Sequence, residues 1–205
     1  MSVAAIARLV QTTTRREGRL FVLSGPSGGG KTTLVRHLLA HIPGIVRSVS
    51  VTTRARRRGE RAGRAYHFVT PRAFQAARVR GAYLEWASVH GAFYATPRRL
   101  VERALTRGQD VLLAIDVHGA AQVKQRKPAC VRIFLLPPSW RTLMDRLRQR
   151  GTEDSMTRAR RLQVARQELR LARQYDYVVV NDQLARAVQE LAAIITAERL
   201  RLPQR

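Results

Sequence analysis

Eight consecutive residues, "GPSGGGKT" from Gly25 to Thr32, combine the residue types needed to hold a chain of phosphates. They match G-x-x-x-x-G-K-[ST], in which glycines let successive backbone N–H groups curl around phosphate oxygens. Gly25, Pro26, Ser27, Gly28, Gly29 and Gly30 supply the loop, and a helix opening near Lys31 adds the positive end of its dipole. The Lys31 ammonium can reach β- and γ-phosphates as a point charge. The Thr32 hydroxyl can ligate Mg²⁺, with Thr33 next in the same turn. The loop predicts that this chain binds a nucleoside triphosphate.

A second run also favours anions. "TTRARRRGERAGRAY", residues 52–66, carries six arginines: Arg54, Arg56, Arg57, Arg58, Arg61 and Arg64. A guanidinium fork fits a phosphate bidentately, so the run could clamp one small anion, line a nucleic acid, or form a solvated face. Its own composition does not choose among these.

The elements that must position these residues read as α/β. "RLFVLS" (19–24), "DVLLAID" (110–116), "VRIFLLP" (131–137) and "YVVVND" (177–182) are short apolar runs of the kind buried on both faces of a parallel sheet. Helical patterns lie between them, at 31–42 (ended by Pro43 and Gly44), 97–107, 118–126, 139–149, 157–174 and 184–200. Residues 50–96 break the rhythm with alternating segments and one helix-like piece at 71–80, as expected of a small mixed sheet inserted into the core. The chain is therefore predicted as a parallel central sheet flanked by helices, with an inserted mixed α/β unit.

The 205 residues suffice for one main domain with an insertion. The net charge of +24 comes from 38 basic against 14 acidic residues and favours polyanionic partners. Only 6% of residues are aromatic and no recognition module appears, so specific nucleic-acid binding is not expected, and weak, salt-sensitive RNA binding is a side effect of charge. Cys130 is the sole cysteine and lies in an apolar run, which excludes an intrachain disulfide and fits a buried thiol in a reducing, cytoplasmic setting. No apolar stretch approaches the roughly 18 residues of a membrane span. Residues 1–18 read as a flexible N-terminal extension; monomer and homodimer both stay open.

Several segments in order, "SVSVTTRARRRGE", "YHFV", "YLEWASVHGAFYAT" and "LLAIDVHGAAQV", resemble guanylate kinase, and the similarity runs from about residue 19 to 200. The resemblance implies a P-loop kinase fold with core 19–49, 97–149 and 163–200, a GMP-binding insert 50–96 and a lid 150–162. It implies transfer of the γ-phosphoryl group of ATP to GMP and dGMP, with Mg²⁺, in purine nucleotide metabolism. Arg54 and Arg57 take the family's acceptor-phosphate positions, with Tyr66 and Tyr94 offering hydroxyls to the same phosphate. Glu85 takes the place of the carboxylate that accepts from guanine N1–H and the exocyclic amine. Ser50, Thr96 and Asp116 match further GMP positions. In the lid segment "RLRQRGTEDSMTRARRL", Arg146, Arg150 and Arg161 match arginines that neutralise transition-state charge as the lid and insert close. Arg150 and Asn181 are expected at adenine.

This chain departs from the family at Ala114, where an acid near the phosphate loop is usual, at His118 for Gln, at Ala95 for Gly, and at Arg56 for a proline between the two clamp arginines. Reduced turnover or altered metal demand is the expected consequence. Two alternatives share parts of the pattern: a kinase of the same build acting on ribose 1,5-bisphosphate, and a nucleotide-binding module with weakened catalysis. Glu85, Tyr94 and Thr96 favour a guanine acceptor over the first; the complete phosphate loop speaks against the second.

Overall fold

The computed structural model describes residues 17–89, 91–149 and 155–202, with side chains left out at Gln149 and over 155–161. In chain order the elements are β1 (Leu20–Ser24), α1 (Lys31–His41), β2 (Ile45–Arg47), β3 (Val51–Thr52), β4 (His67–Phe68), α2 (Pro71–Val79), β5 (Tyr83–Val89), β6 (Ala92–Pro97), α3 (Arg98–Thr106), β7 (Asp110–Ala114), α4 (Val117–Arg126), β8 (Val131–Leu136), α5 (Trp140–Gln149), α6 (Ser155–Arg170), a short 3₁₀ turn, β9 (Tyr177–Val180) and α7 (Leu184–Leu200).

The apolar runs form one sheet in the order β2-β7-β1-β8-β9, parallel throughout. Alternation along β1 shows why these strands are apolar from end to end. Phe21 and Leu23 pack on one face with Leu34, Leu38, Leu191 and Ile195 of α1 and α7. Leu20 and Val22 pack on the other with Val101 of α3 and Ala120 and Val123 of α4. Both faces are covered, so no polar alternation is tolerated. Strand β2 has no counterpart in the sequence reading; three residues at a sheet edge are too few to show a period. Cys130 is buried with the second cluster. Among the described residues no helix is long and apolar enough to cross a membrane.

The middle of the chain builds a second, mixed sheet, β4-β3-β6-β5, in which only β3 and β4 run parallel. Its own small core gathers Val51, Phe74, Tyr83 and Ala95, with Phe74 stacked on Phe93 at 5.2 Å. α2 closes it, capped by the Thr70 hydroxyl accepting from the Ala73 N–H, with Pro71 in the first turn.

Candidate active site

β1 ends at Ser24 and passes into the glycine loop, which leads directly into α1 at Lys31. Two of the glycines have a clear reason. A Cβ on Gly30, whose φ is +95°, would lie 2.2 Å from the Asn181 amide nitrogen; one on Gly25, at φ +144°, would meet the Leu135 carbonyl oxygen at 2.4 Å. The loop is therefore pressed between β8 and the residue following β9. Lys31 Nζ donates to the carbonyl oxygens of Gly25 and Pro26 at 2.6 and 3.1 Å, which keeps the ammonium at the loop's mouth.

Asn181, expected at adenine, is buried and donates from Nδ2 to the Gly29 carbonyl at 2.8 Å. That amide nitrogen braces the loop. A cavity of about 420 Å³ opens beside it, lined by Gly28, Gly30, Thr33, Arg146, Asn181, Asp182 and Leu184. The Arg146 guanidinium enters this space with Nη1 buried and without a hydrogen-bond partner among the described residues. A buried guanidinium nitrogen left unpaired costs stability, so the space suits an anionic ligand. Arg150 lies outside the described residues, and Arg161 is described only as backbone of α6.

The arginine run follows β3. Thr52 is fully buried and accepts the Arg54 N–H at 3.1 Å, which sets the direction of the chain as it leaves the strand. The Arg54 guanidinium then bonds Glu60 at 2.7 Å and lies 5.5 Å from the Tyr66 ring, and Tyr94 is close enough to bond it. Glu60 also accepts the Arg57 N–H at 2.8 Å, so one carboxylate folds the loop through both clamp positions. Its hydrogen bond to Arg54 holds the Glu60 carboxyl below the usual range. Tyr66 and Tyr94 meet edge to face at 5.8 Å. Arg56, Arg57, Arg58, Arg61 and Arg64 are exposed.

Glu85 is 5% exposed and faces Thr96 across the β5–β6 ladder, where the Thr96 hydroxyl donates to its Oε1 at 2.6 Å. Burial pushes its carboxyl up to about 7, the Thr96 hydrogen bond pulls the other way, and the nearby charge of Asp116 adds to the rise. Thr96 thus serves the carboxylate directly. Asp116 caps α4, accepting the Gly119 N–H at 2.7 Å. Ser50 precedes β3 and binds the His67 N–H through its carbonyl at 2.8 Å.

Electrostatic reach joins the two halves of the site. Asp116 acts on Glu85 and also on Glu168, a buried α6 carboxylate that faces the Ser27 N–H and lies near Lys31 and His118. Burial raises the Glu168 carboxyl. Glu60 closes the segment "SVSVTTRARRRGE" but carried no assigned role, and no motif announced Glu168, because a glutamate on a basic helix reads as ordinary surface. The pairing Leu23↔Ala114 places Ala114 beside β1 just before the phosphate loop, half-buried against the main core.

A phosphate loop and a buried carboxylate within one charge network match an independent finding: the family model for guanylate kinase covers residues 17–198. The chain belongs to the guanylate kinase family. It is 49% identical over 187 residues to the guanylate kinase of Syntrophotalea carbinolica, covering 91% of this chain and 89% of that protein. It is 50% identical over 184 residues to that of Cupriavidus pinatubonensis, covering 90% and 85%. The crystal structure of guanylate kinase from Anaplasma phagocytophilum superposes with a TM-score of 0.74 at 34% identity, covering 91% of this chain and 88% of that one. The guanylate kinase architecture, with its parallel sheet flanked by helices, is thus the architecture of this chain.

Proposed function

We propose that the protein transfers the γ-phosphoryl group of ATP to GMP, giving ADP and GDP. The observation that carries this reading is the buried Glu85 carboxylate, which accepts the Thr96 hydroxyl and feels the charge of Asp116, as does Glu168 near Lys31 of the phosphate loop. A carboxylate is acceptor-only and suits guanine, which presents N1–H and an exocyclic amine side by side; adenine lacks the N1–H and would leave a buried charge unpaired.

The remaining roles follow from position. Gly25 to Gly30 and Lys31 hold the ATP phosphates, and Arg146 meets the same charge from α5. Arg54 exchanges Glu60 for the GMP phosphate, joined by Arg57 and the Tyr66 and Tyr94 hydroxyls. Arg150 and Arg161 are assigned to lid closure over ATP. A GMP phosphate oxygen is nucleophilic at neutral pH, so the transfer needs no general base; positioning and charge neutralisation supply the rate.

The donor set fits a Mg²⁺ ion that arrives on ATP, with the exposed Thr32 hydroxyl as a protein ligand at the start of α1. Bound there, the ion would neutralise charge between the β- and γ-phosphates. Ala114 removes a carboxylate that would hold such an ion or its waters. Ala114→Asp is expected to raise kcat and to lower the Mg²⁺ concentration giving half-maximal rate by about fivefold, read from a Mg²⁺ titration at fixed ATP; unchanged values remove Ala114 from the account.

ADP release measured side by side with GMP, AMP and ribose 1,5-bisphosphate tests the whole reading. GMP should be preferred by at least about 10³-fold, and a faster reaction with ribose 1,5-bisphosphate would overturn it. Given the lone cysteine and the ATP and GMP substrates, the proposed setting is the cytoplasm.

A further inference from the structure

Glu85 stands on a strand that simple alternation would build wrongly. Tyr83 belongs to the small core of the inserted sheet, and a strictly alternating β5 would bury Glu85 on that same face. The ladder shifts register between Tyr83 and Glu85, so that Tyr83 pairs Pro97 while Glu85 pairs Thr96. This irregularity turns Glu85 away from the small core toward Gly119 of α4 and sends Leu84 into the main core. It lies on an edge strand, since β5 ends the order β4-β3-β6-β5, and edge backbone groups have no ladder partner on their outer side.

Two side chains of α4 supply that partner. Gln122 Oε1 accepts the Trp86 N–H at 3.3 Å and its Nε2 donates to the Trp86 carbonyl at 2.9 Å, so one amide satisfies both groups as a neighbouring strand would. Arg126 Nη1 donates to the Leu84 carbonyl at 2.8 Å. These contacts fall on the residues immediately before and after Glu85. Between them, Gly119 lies under the carboxylate: a Cβ there would be 2.8 Å from Glu85 Oε2. All three sit on one helix of the main domain, at the spacing that shares a face.

We propose that Gln122 and Arg126 are positioning residues for guanine recognition, fixing the irregular backbone around Glu85 to the main domain so that its carboxylate meets the base edge. The proposal rests on the reading of Glu85 as the group that binds guanine. Because the clasp acts on backbone, the side chains of Leu84 and Trp86 need only pack.

The test uses the full-length protein with GMP and inosine monophosphate, whose base keeps N1–H but lacks the exocyclic amine. Gln122→Leu is expected to raise the GMP KM about tenfold and to narrow the GMP-to-inosine-monophosphate ratio of kcat/KM by a similar factor. The ATP KM should stay within about twofold. Arg126→Met should shift the ratio in the same direction and Arg126→Lys, which keeps a donor for the Leu84 carbonyl, should restore it; this pair decides the matter if Gln122→Leu does not fold. Glu85→Gln serves as reference. If it collapses the ratio while Gln122→Leu and Arg126→Met leave it unchanged, the positioning role is overturned and the reading of Glu85 stands. If Glu85→Gln also leaves the ratio unchanged, the reading of Glu85 fails and the proposal with it.

Discussion

Glu85→Gln is expected to lower kcat/KM for GMP by about 10³-fold and, at the same time, to make the unliganded protein more stable above pH 7. Both effects come from one buried carboxyl. Its folded-state value of about 7 lies above the ordinary value of 4.5, so the folded protein holds a proton that the unfolded chain has released. Stability therefore falls as pH rises from about 4.5 to about 7 and stays reduced above that, by on the order of 3 kcal/mol. Glutamine removes this slope while its carbonyl still accepts the Thr96 hydroxyl. Thermal unfolding of both proteins at pH 5 and pH 8 should show the variant gaining only at the higher pH; an equal shift at both would reject the assignment.

The same proton links GMP binding to pH. The ionised carboxylate is the form that accepts two guanine N–H groups, so GMP affinity should fall about tenfold per pH unit below about 7. GMP's own phosphate titrates near pH 6 and adds a loss of its own. That contribution persists in Glu85→Gln, so the difference between the two pH profiles isolates Glu85. Calorimetry in buffers of different ionisation enthalpy should detect proton release on GMP binding near pH 6.5 in the wild type and less in the variant.

Arg54→Ala is expected to raise the GMP KM by about 100-fold with little change in ATP affinity, since a charge-assisted bidentate contact to the GMP phosphate is lost. Arg61→Ala, altering an exposed arginine seven residues further along the chain, should change the KM less than about twofold and serves as the charge control. Equal effects from the two would mean that the run acts only through its overall field. The structure already separates them: Arg54 is held by Glu60 and packed near Tyr66, and Arg61 is exposed.

Much of this was legible in the residues. The phosphate loop declared itself because few residue types tolerate backbone curled around phosphates, and the four long apolar runs declared a parallel sheet because strands covered on both faces have no polar alternation. The mixed character of the insert showed in its alternating segments. Arg54, Tyr66, Glu85 and Tyr94 were marked by resemblance, and the structure brings Arg54 together with Tyr66 and Tyr94, and Glu85 together with Thr96 and Asp116. Asn181 was placed near the nucleotide, but its grip on the Gly29 carbonyl was not legible, because it joins residues 152 positions apart.

What the sequence determined by itself is local: the loop's conformation, the strand and helix periods, and the types of side chain on offer. Tertiary structure decided which face Glu85 uses, because a register shift inverts alternation without leaving a residue signature. It also decided how far the carboxyl's proton affinity rises, since burial depends on α4 closing over β5. And it decided that Glu168, Gln122 and Arg126 belong to the site's frame, through contacts made only when distant segments pack.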